Sequence, residues 1–361
     1  MHALTRKQFL RSAAFGSAVA LAAPGLLAQP AMARSAEAAD TRVRYKTIDI
    51  DGVEIFYREA GAPEAPAILL LHGFPTSSQM FRGLIPLLAK HYRLIAPDFP
   101  GFGRSAMPDR GSFEYSFANY ARLMAGLTDA LGMQRYALYI MDYGAPVGLR
   151  LAIARPERVT ALVVQNGNAY TEGLREFWDP IRAYWQSNAA GDREALRNFL
   201  KIDATEWQYT HGVPDPSLIS PDAWQLGLVY LDRLGNQEIQ LDLFYDYRTN
   251  VDLYPDFQAF FREHQPPTLI VWGKNDYIFP AEGATPYIRD LPNAELHLIE
   301  AGHFILESNG PEVGALIADF LGRTIARKSA RNSCAPPSGG AKPRGDALWV
   351  TSSPNWHSPT G

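Results

Sequence analysis

Short apolar runs alternate with amphipathic segments from residue 42 to residue 321. Six of these runs are largely apolar and too short for a helix, which indicates strands buried on both faces of a parallel sheet. They span residues 67–71, 93–96, 136–140, 159–164, 268–272 and 295–299. Before them, Asp51-Gly52 separates the stretches 42–50 and 53–58, and an Asp-Gly pair in that place predicts a β-hairpin.

Helical segments follow most of these strands. The spacing of apolar residues predicts helices over residues 80–89, 115–131, 145–154 and 312–321. Pro146 falls in the first turn of the third helix, where its missing N–H costs no hydrogen bond. Strands that alternate with helices build a doubly wound sheet. We therefore predict an α/β fold with a mostly parallel sheet of eight strands.

One long stretch, residues 169–265, interrupts the alternation between the sixth and the seventh strand. It is rich in tryptophan, tyrosine and phenylalanine, which suits a segment that packs on a core. We predict that it is a helical lid. The core domain would then consist of residues 42–168 and 266–325.

The first 33 residues have the pattern of an export signal. Arg6 and Lys7 precede an alanine-rich apolar stretch, 13–28, and residues 31–33 are small enough for a cleavage site. The basic segment resembles a twin-arginine signal in which Lys7 replaces the second arginine. We expect a mature chain that starts near Arg34, is periplasmic or secreted, and has no stable membrane insertion after cleavage.

The other terminal segment, residues 327–361, is rich in serine, proline and glycine. It buries too little apolar surface to offset the entropy of ordering, so we predict a disordered tail. The only cysteine of the chain, Cys334, lies in this tail, so disulfides play no part in the fold.

Composition excludes some classes of function. The chain of 361 residues has a net charge of −4 and a pI of about 6.1, so it lacks the basic surface expected of a protein that binds nucleic acid. No group of histidine, cysteine and acidic residues has the spacing of metal ligands, and no glycine-rich phosphate loop is present. We expect neither a metal nor a cofactor.

Candidate catalytic residues fall at the ends of predicted strands. Asp142 separates the strand 136–140 from the helix 145–154, and this strand–turn–helix pattern is typical of a nucleophile elbow. Asp276 and His303 follow the last two strands. Since ligands of such sheets bind at the carboxyl ends of the strands, we expect these three side chains to meet there.

Five separated motifs resemble the α/β-hydrolase fold family. The resemblance covers residues 42 to 321, and an aspartate at the elbow narrows it to the branch that contains epoxide hydrolases and haloalkane dehalogenases. The motifs are His72-Gly-Phe-Pro75, Asp98-Phe-Pro-Gly-Phe-Gly-Arg-Ser105, the elbow around Asp142, Gly273-Lys-Asn-Asp276 and Gly302-His303. Within them, His72 and Asp98 are expected to shape their loops.

Aspartate chemistry agrees with this resemblance. A carboxylate that attacks a saturated carbon forms an ester, which a histidine-activated water can cleave, whereas a serine would form a stable ether. His303 would activate the water, Asp276 would orient His303, and the N–H groups of Phe74 and Tyr143 would hold the oxyanion. The expected substrates are a small apolar organic molecule and water.

The resemblance favours epoxide hydrolysis to a diol. Epoxide hydrolases protonate the departing oxygen from two lid tyrosines, and residues 246–250 resemble one of their tyrosine motifs, which makes Tyr247 the expected acid. The second tyrosine position falls on Ile181, and Tyr184 lies one helical turn further on. Trp178, Tyr184 and Trp185 are the expected substrate-binding residues.

Haloalkane dehalogenation is the alternative. Dehalogenases usually have tryptophan after the nucleophile and often asparagine at the place of Phe74, whereas this chain has Tyr143 and Phe74. An indole of Trp178 or Trp185 would then have to bind the halide. A catalytically silent ligand-binding homologue and a cofactor-free oxygenase are hypotheses of other classes.

Overall fold

A computed structural model describes residues 41–333 of the chain. The predicted export signal, 1–33, lies outside the described residues, as do residues 334–361 of the predicted tail. Both stay predictions.

Eight strands form one sheet. They are β1 (Arg44–Ile50), β2 (Val53–Ala60), β3 (Ala67–Leu71), β4 (Arg93–Pro97), β5 (Tyr136–Met141), β6 (Val159–Gln165), β7 (Thr268–Gly273) and β8 (Glu295–Ile299). Their order is β1-β2-β4-β3-β5-β6-β7-β8. β2 runs antiparallel to β1 and β4, and the other neighbours are parallel. The predicted fold class is confirmed.

Register brings the ends of the parallel strands together. Ile140 of β5 pairs with Leu71 of β3 and Val164 of β6, while Ile270 of β7 pairs with Val164 and with Leu296 of β8. These five residues form one row across the sheet. The loops that follow the five strands therefore lie along the same edge.

Helices cover both faces of the sheet and fill the whole stretch between β6 and β7. The α-helices are α1 (Leu84–Leu88), α2 (Phe117–Ala130), α3 (Gly144–Ala154), α4 (Asp179–Ser187), α5 (Ala190–Ala195), α6 (Ile202–Thr210), α7 (Pro221–Leu231), α8 (Asn236–Asp246), α9 (Arg248–Asp252), α10 (Tyr254–His264), α11 (Tyr287–Asp290) and α12 (Ile305–Ser333). Short 3₁₀ helices span Ser78–Phe81, Pro156–Arg158, Thr171–Gly173, Glu176–Trp178, Leu196–Leu200, Pro216–Leu218 and Ala281–Gly283. We call residues 169–265 the lid; all its regular elements are helical.

Alternate side chains of the central strands belong to two hydrophobic cores. Leu138 and Ile140 of β5 pack with α2, α3 and α10, whereas Tyr139 and Met141 pack on the opposite face with α1 and α12. All four side chains are fully buried. A strand buried on both faces has no polar positions, which explains the apolar runs.

Two predicted helices have different bounds in the structure. The segment 80–89 divides into the 3₁₀ helix Ser78–Phe81 and the helix α1, with Gly83, a poor helix former, directly before α1. α12 begins at Ile305, kinks at Asn309 ahead of Pro311, and extends to Ser333, past the predicted start of the tail at 327. A proline inside a helical pattern is easily taken for its beginning. Within residues 41–333, no helix is both long and apolar enough to cross a membrane.

Candidate active site

Asp142 occupies a strained turn between β5 and α3. Its φ angle is 49°, a left-handed conformation that aspartate tolerates better than most residues. Two positions that pack against this turn, 73 and 144, have no room for a side chain. A Cβ atom at position 144 would lie 2.2 Å from the carbonyl oxygen of Leu71, and one at position 73 would lie 2.3 Å from the Cβ of Asp142. This packing lifts the Asp142 side chain above the edge of the sheet.

The two oxygens of the Asp142 carboxylate have different surroundings. Oδ1 accepts the N–H groups of Phe74 and Tyr143, both at 2.6 Å. These are the two donors that were expected to form an oxyanion hole, and the structure brings them together. Oδ2 lies instead toward His303, 3.8 Å from its Nε2. Oδ2 is therefore the oxygen available for attack on a substrate.

His303 and Asp276 form a hydrogen-bonded pair beside the elbow. The Nδ1 atom of His303 lies 2.7 Å from Oδ2 of Asp276, so Nδ1 carries the proton and donates it to the carboxylate. Oδ1 of Asp276 accepts the N–H of Ile278 at 2.8 Å. The Nε2 atom of His303 has no hydrogen-bond partner in the part of the chain that the structure describes, so a neutral ring directs its lone pair toward Asp142. This is the arrangement of a base that is held in one tautomer.

Burial and charge shift the pKa values of the two groups that face each other. Burial raises the pKa of Asp142 to about 6, against the opposing effects of His303 and the two backbone N–H groups. Burial is the largest single effect and disfavours protonation of His303. The charge of Asp276, the hydrogen bond from His303 to Asp276 and the charge of Asp142 together outweigh burial, so the pKa of His303 lies above its usual value. Asp142 is therefore ionised at neutral pH.

A narrow cavity lies above Asp142, between the core and the lid. Most of its lining side chains are aromatic or aliphatic. The polar groups in the lining belong to Asp142, two tyrosines and one glutamine. The lining residues are Phe74, Asp142, Tyr143, Phe177, Trp178, Ile181, Phe199, Gln208, Phe244, Tyr247 and Ile278. Such a lining suits a small, mainly apolar molecule.

Tyr247 lines this cavity, as the sequence analysis expects of an acid. It is 1% exposed, and its hydroxyl lies beside the hydroxyl of Tyr254 but makes no hydrogen bond of normal geometry within the described residues. Burial raises its pKa well above the usual range, with further contributions from Tyr254 and from the Asp142 carboxylate. The hydroxyl is therefore protonated at neutral pH. Tyr143 also lines the cavity, and its buried hydroxyl has no hydrogen-bond partner among the described residues; the sequence analysis considered only its backbone N–H.

Of the three expected substrate-binding residues of the lid, only Trp178 lines the cavity. Trp178 lines the cavity, but its indole N–H donates to the carbonyl of Ile278 at 2.8 Å. Trp185 does not line it, and its indole N–H donates to the carbonyl of Phe244 at 2.7 Å.

Tyr184 requires a correction. It lies outside the cavity lining, because its hydroxyl accepts a hydrogen bond from Arg193 at 3.2 Å and its ring packs on Tyr245. Ile181, one turn earlier on α4, takes the place in the lining.

Sequence reasoning missed Asn166. It directly follows β6 and is fully buried, and its Nδ2 donates to Oδ2 of Asp276 at 2.8 Å. The backbone carbonyl of Asn166 accepts the N–H of Asp142 at 3.2 Å. Asn166 therefore contacts both the elbow and the acid. The rule that singled out Asp142 and Asp276, a polar residue at the carboxyl end of a strand, would also have found it.

His72 and Asp98 hold together the two segments that follow β3 and β4. His72 is fully buried, accepts the N–H of Phe99 at 3.1 Å and lies 2.9 Å from the carbonyl of Gly73 through Nδ1. Asp98 accepts the N–H groups of Ser78 and Arg104. These contacts place the Phe74 N–H without adding a reactive group to the cavity. Within residues 41–333, no group of three or more His, Cys, Asp or Glu side chains is placed to hold a metal ion.

Comparisons with known proteins agree with this site. A model of the α/β-hydrolase fold family matches residues 66–310, and the chain belongs to that family. A protein of Saccharomyces cerevisiae, named only as an uncharacterized hydrolase, is 45% identical over 271 residues, which cover 74% of this chain and 93% of the relative. A haloalkane dehalogenase of Mycobacterium marinum is 28% identical over 291 residues, covering 75% and 90% of the two chains.

A solved haloalkane dehalogenase from Bradyrhizobium elkani has the same fold, with a TM-score of 0.65 and 22% identity over 79% of this chain and 100% of the other. The protein is a hydrolase. The aspartate at its elbow, together with relatives that carry the name haloalkane dehalogenase, supports the aspartate-nucleophile branch of the family.

Proposed function

We propose that the protein hydrolyses small epoxides to diols through an ester on Asp142. The observation that carries the proposal is Tyr247, which lines the same cavity as Asp142 and whose buried hydroxyl makes no hydrogen bond of normal geometry to a described residue. Opening an epoxide places negative charge on the departing oxygen. An acid in a dry cavity can protonate that oxygen as it leaves.

Ring opening is the first step. Oδ2 of Asp142 attacks a ring carbon, the C–O bond of the ring breaks, and Tyr247 gives its proton to the departing oxygen. The alkoxide is a much stronger base than the phenolate that remains, so the transfer is favourable in spite of the raised pKa of Tyr247. The Tyr143 hydroxyl, in the same lining, supports the proposal as a second donor to that oxygen.

Ester hydrolysis is the second step. His303 takes a proton from water, and the hydroxide attacks Cγ of Asp142. The resulting oxyanion on Oδ1 is held by the N–H groups of Phe74 and Tyr143, each worth about 3 kcal/mol in comparable sites. The tetrahedral intermediate collapses, the diol takes a proton from His303, and the proton released by the regenerated carboxylate returns to the Tyr247 phenolate.

Charge coupling between Asp142 and His303 links the two steps. The Asp142 carboxylate raises the pKa of His303, and the ester carries no charge. Formation of the ester therefore lowers the pKa of His303 and favours the neutral ring. The base becomes available at the stage that needs it.

Haloalkane dehalogenation is the second candidate, favoured by the relatives that carry that name. A departing halide needs N–H donors. The indole N–H groups of Trp178 and Trp185 are both donated to backbone carbonyls, which weighs against halide binding. A silent ligand-binding role is disfavoured because a binder has no need of a paired His303 and Asp276.

The test is turnover of an epoxide panel and a haloalkane panel, with diol and halide measured. We expect diol and no halide; halide with no diol would favour the second candidate. After several turnovers in ¹⁸O-water, mass spectrometry of the Asp142 peptide should show label in the carboxylate.

Two matched lid variants test the acid. Tyr247→Phe should slow ring opening about 10²-fold, since general acids contribute on that scale. Tyr184→Phe removes a lid hydroxyl outside the cavity lining and should leave the rate unchanged. An unchanged rate in Tyr247→Phe would remove Tyr247 from the mechanism.

Export is a separate proposal that rests on the pattern of residues 1–33. N-terminal sequencing of the protein from a periplasmic or secreted fraction should begin near Arg34. Recovery of the activity only with cells, and with an intact Met1, would contradict it.

A further inference from the structure

A buried arginine joins α3, the helix that follows Asp142, to the lid. Arg150 lies on α3, about two helical turns after Asp142, and is only 9% exposed. A guanidinium in such a place is costly unless it is hydrogen-bonded. The guanidinium of Arg150 takes part in neither step of the proposed reaction.

The partners of Arg150 lie in the lid. Its Nη2 donates to the hydroxyl of Thr249 at 3.1 Å, and its Nη1 donates to the side-chain oxygen of Asn250. Nη1 also lies 3.3 Å from the carbonyl of Pro146, in the first turn of α3. Burial lowers the pKa of Arg150 to about 10, so the group stays charged at neutral pH.

The residues that Arg150 binds come two and three positions after Tyr247. Tyr247 lies at the junction of α8 and α9, while Thr249 and Asn250 belong to α9. On the other side of Tyr247, the Asp246 carboxylate accepts the N–H of Phe117, at the start of α2, at 2.8 Å. The lid backbone that carries Tyr247 is thus tied to the core both before and after that residue.

We propose that Arg150 is a positioning residue for Tyr247. Arg150 fixes residues 246–250 of the lid to the same helix that follows the nucleophile, and so sets the position of the Tyr247 hydroxyl relative to Asp142. The inference rests on the proposed function, in which that hydroxyl protonates the departing oxygen. A shift of about 1 Å in such a group can cost up to about 10²-fold in rate.

A double-mutant cycle distinguishes positioning from a general role in stability. Single-turnover rates of ring opening and of ester hydrolysis would be measured for Arg150→Met, Tyr247→Phe and the double variant. We expect Arg150→Met to slow ring opening about tenfold or more while ester hydrolysis changes less than about threefold. In the Tyr247→Phe background the same substitution should have little further effect. Equal losses in both backgrounds would overturn the proposal.

Milder variants and a matched arginine complete the design. Thr249→Val removes one acceptor without changing the size of the side chain, and should slow the same step by a smaller factor even if Arg150→Met does not fold. Arg193 also ties lid helices together, through Glu238 and Asp242, but none of its ion pairs or hydrogen bonds within the described residues involves residues 246–250. Arg193→Met should leave the ring-opening rate unchanged, and a loss equal to that of Arg150→Met would count against the proposal.

A second readout needs no substrate. In protein labelled with ¹³C-tyrosine, Arg150→Met should shift the NMR resonance of Tyr247 and leave that of Tyr184, which lies outside the lining, in place. A shifted Tyr247 resonance in a protein that opens no epoxide would support positioning and refute the proposed reaction. An unshifted resonance would overturn the positioning role whatever the substrate proves to be.

Discussion

The Nε2 atom of His303 lies 3.8 Å from Oδ2 of Asp142, too far for a hydrogen bond, although the two groups face each other in a buried site. A serine nucleophile would need its histidine within hydrogen-bond distance, since the hydroxyl must lose a proton. An ionised carboxylate needs no such help. The distance between Nε2 and Oδ2 therefore suits a two-step reaction. Asp142 attacks carbon in the first step, and His303 activates water in the second.

The first prediction concerns the pH dependence of ring opening. The pKa of Asp142 is about 6, and only the carboxylate attacks, so the single-turnover rate should rise with pH and reach half of its maximum near pH 6. His303 lowers the pKa of Asp142, so the rise of the rate should occur at higher pH in the His303→Gln variant. A rise at the same pH in both proteins would contradict the charge coupling.

The second prediction is that His303→Gln traps the ester. Without the base, ester hydrolysis should slow by about 10²- to 10⁴-fold while ring opening proceeds. Intact-protein mass spectrometry should then show a gain equal to the mass of the epoxide. Asp142→Asn is the control and should show no gain. Full steady-state turnover by His303→Gln would exclude His303 as the base.

The third prediction concerns the stability of Asp142→Asn. Because the folded-state pKa of Asp142 is raised, the neutral carboxyl stabilises the fold at pH below 3.8, and this contribution is lost as pH rises through about 6. The rise in pKa corresponds to an upper limit of about 3 kcal/mol. The variant should therefore exceed the wild type in Tm at pH 8 by more than it does at pH 4. A gain that is equal at both pH values would instead reflect only the tolerance of asparagine for the strained turn.

Much of the fold could be predicted because its signals are local. The predicted strand 67–71 matches β3 residue for residue, since a buried parallel strand is a short apolar run. The predicted strand 295–299 matches β8 as well, although this edge strand is largely half-buried. The same rule selected Asp142, Asp276 and His303, which the parallel register then brings to one edge of the sheet.

The lid could not be predicted to the same depth because its contacts are tertiary. Which of Ile181 and Tyr184 enters the cavity depends on the rotation of α4, and a bond from Arg193 holds Tyr184 outside. The sequence shows the indoles of Trp178 and Trp185 but not the backbone carbonyls that accept their N–H groups. Candidate chemistry was therefore easier to predict than substrate contacts.

The fourth prediction concerns Asn166, which donates to Asp276 and accepts the N–H of Gly273 at 2.9 Å. Asn166→Gly tolerates the φ angle of 38° and removes the side chain with its amide. With one donor lost, Asp276 should orient His303 less well, and ester hydrolysis should slow about tenfold with little effect on ring opening. Asn188→Gly, at φ 47° in an exposed part of the lid, is the matched control. Equal slowing of both steps would contradict a role through Asp276.

The last prediction concerns substrate choice. Gln208 of α6 is 4% exposed, and among the described residues that line the cavity it alone has a side-chain amide. An amide in a largely apolar wall favours substrates that carry a hydroxyl or carbonyl beside the epoxide. Gln208→Leu should lower kcat/KM about tenfold for such epoxides and leave hydrocarbon epoxides unaffected. Gln240→Leu replaces a buried lid glutamine outside the lining and should change neither class. A parallel loss on both classes in Gln208→Leu would show that the amide acts on something common to all substrates, such as the hydrolytic water.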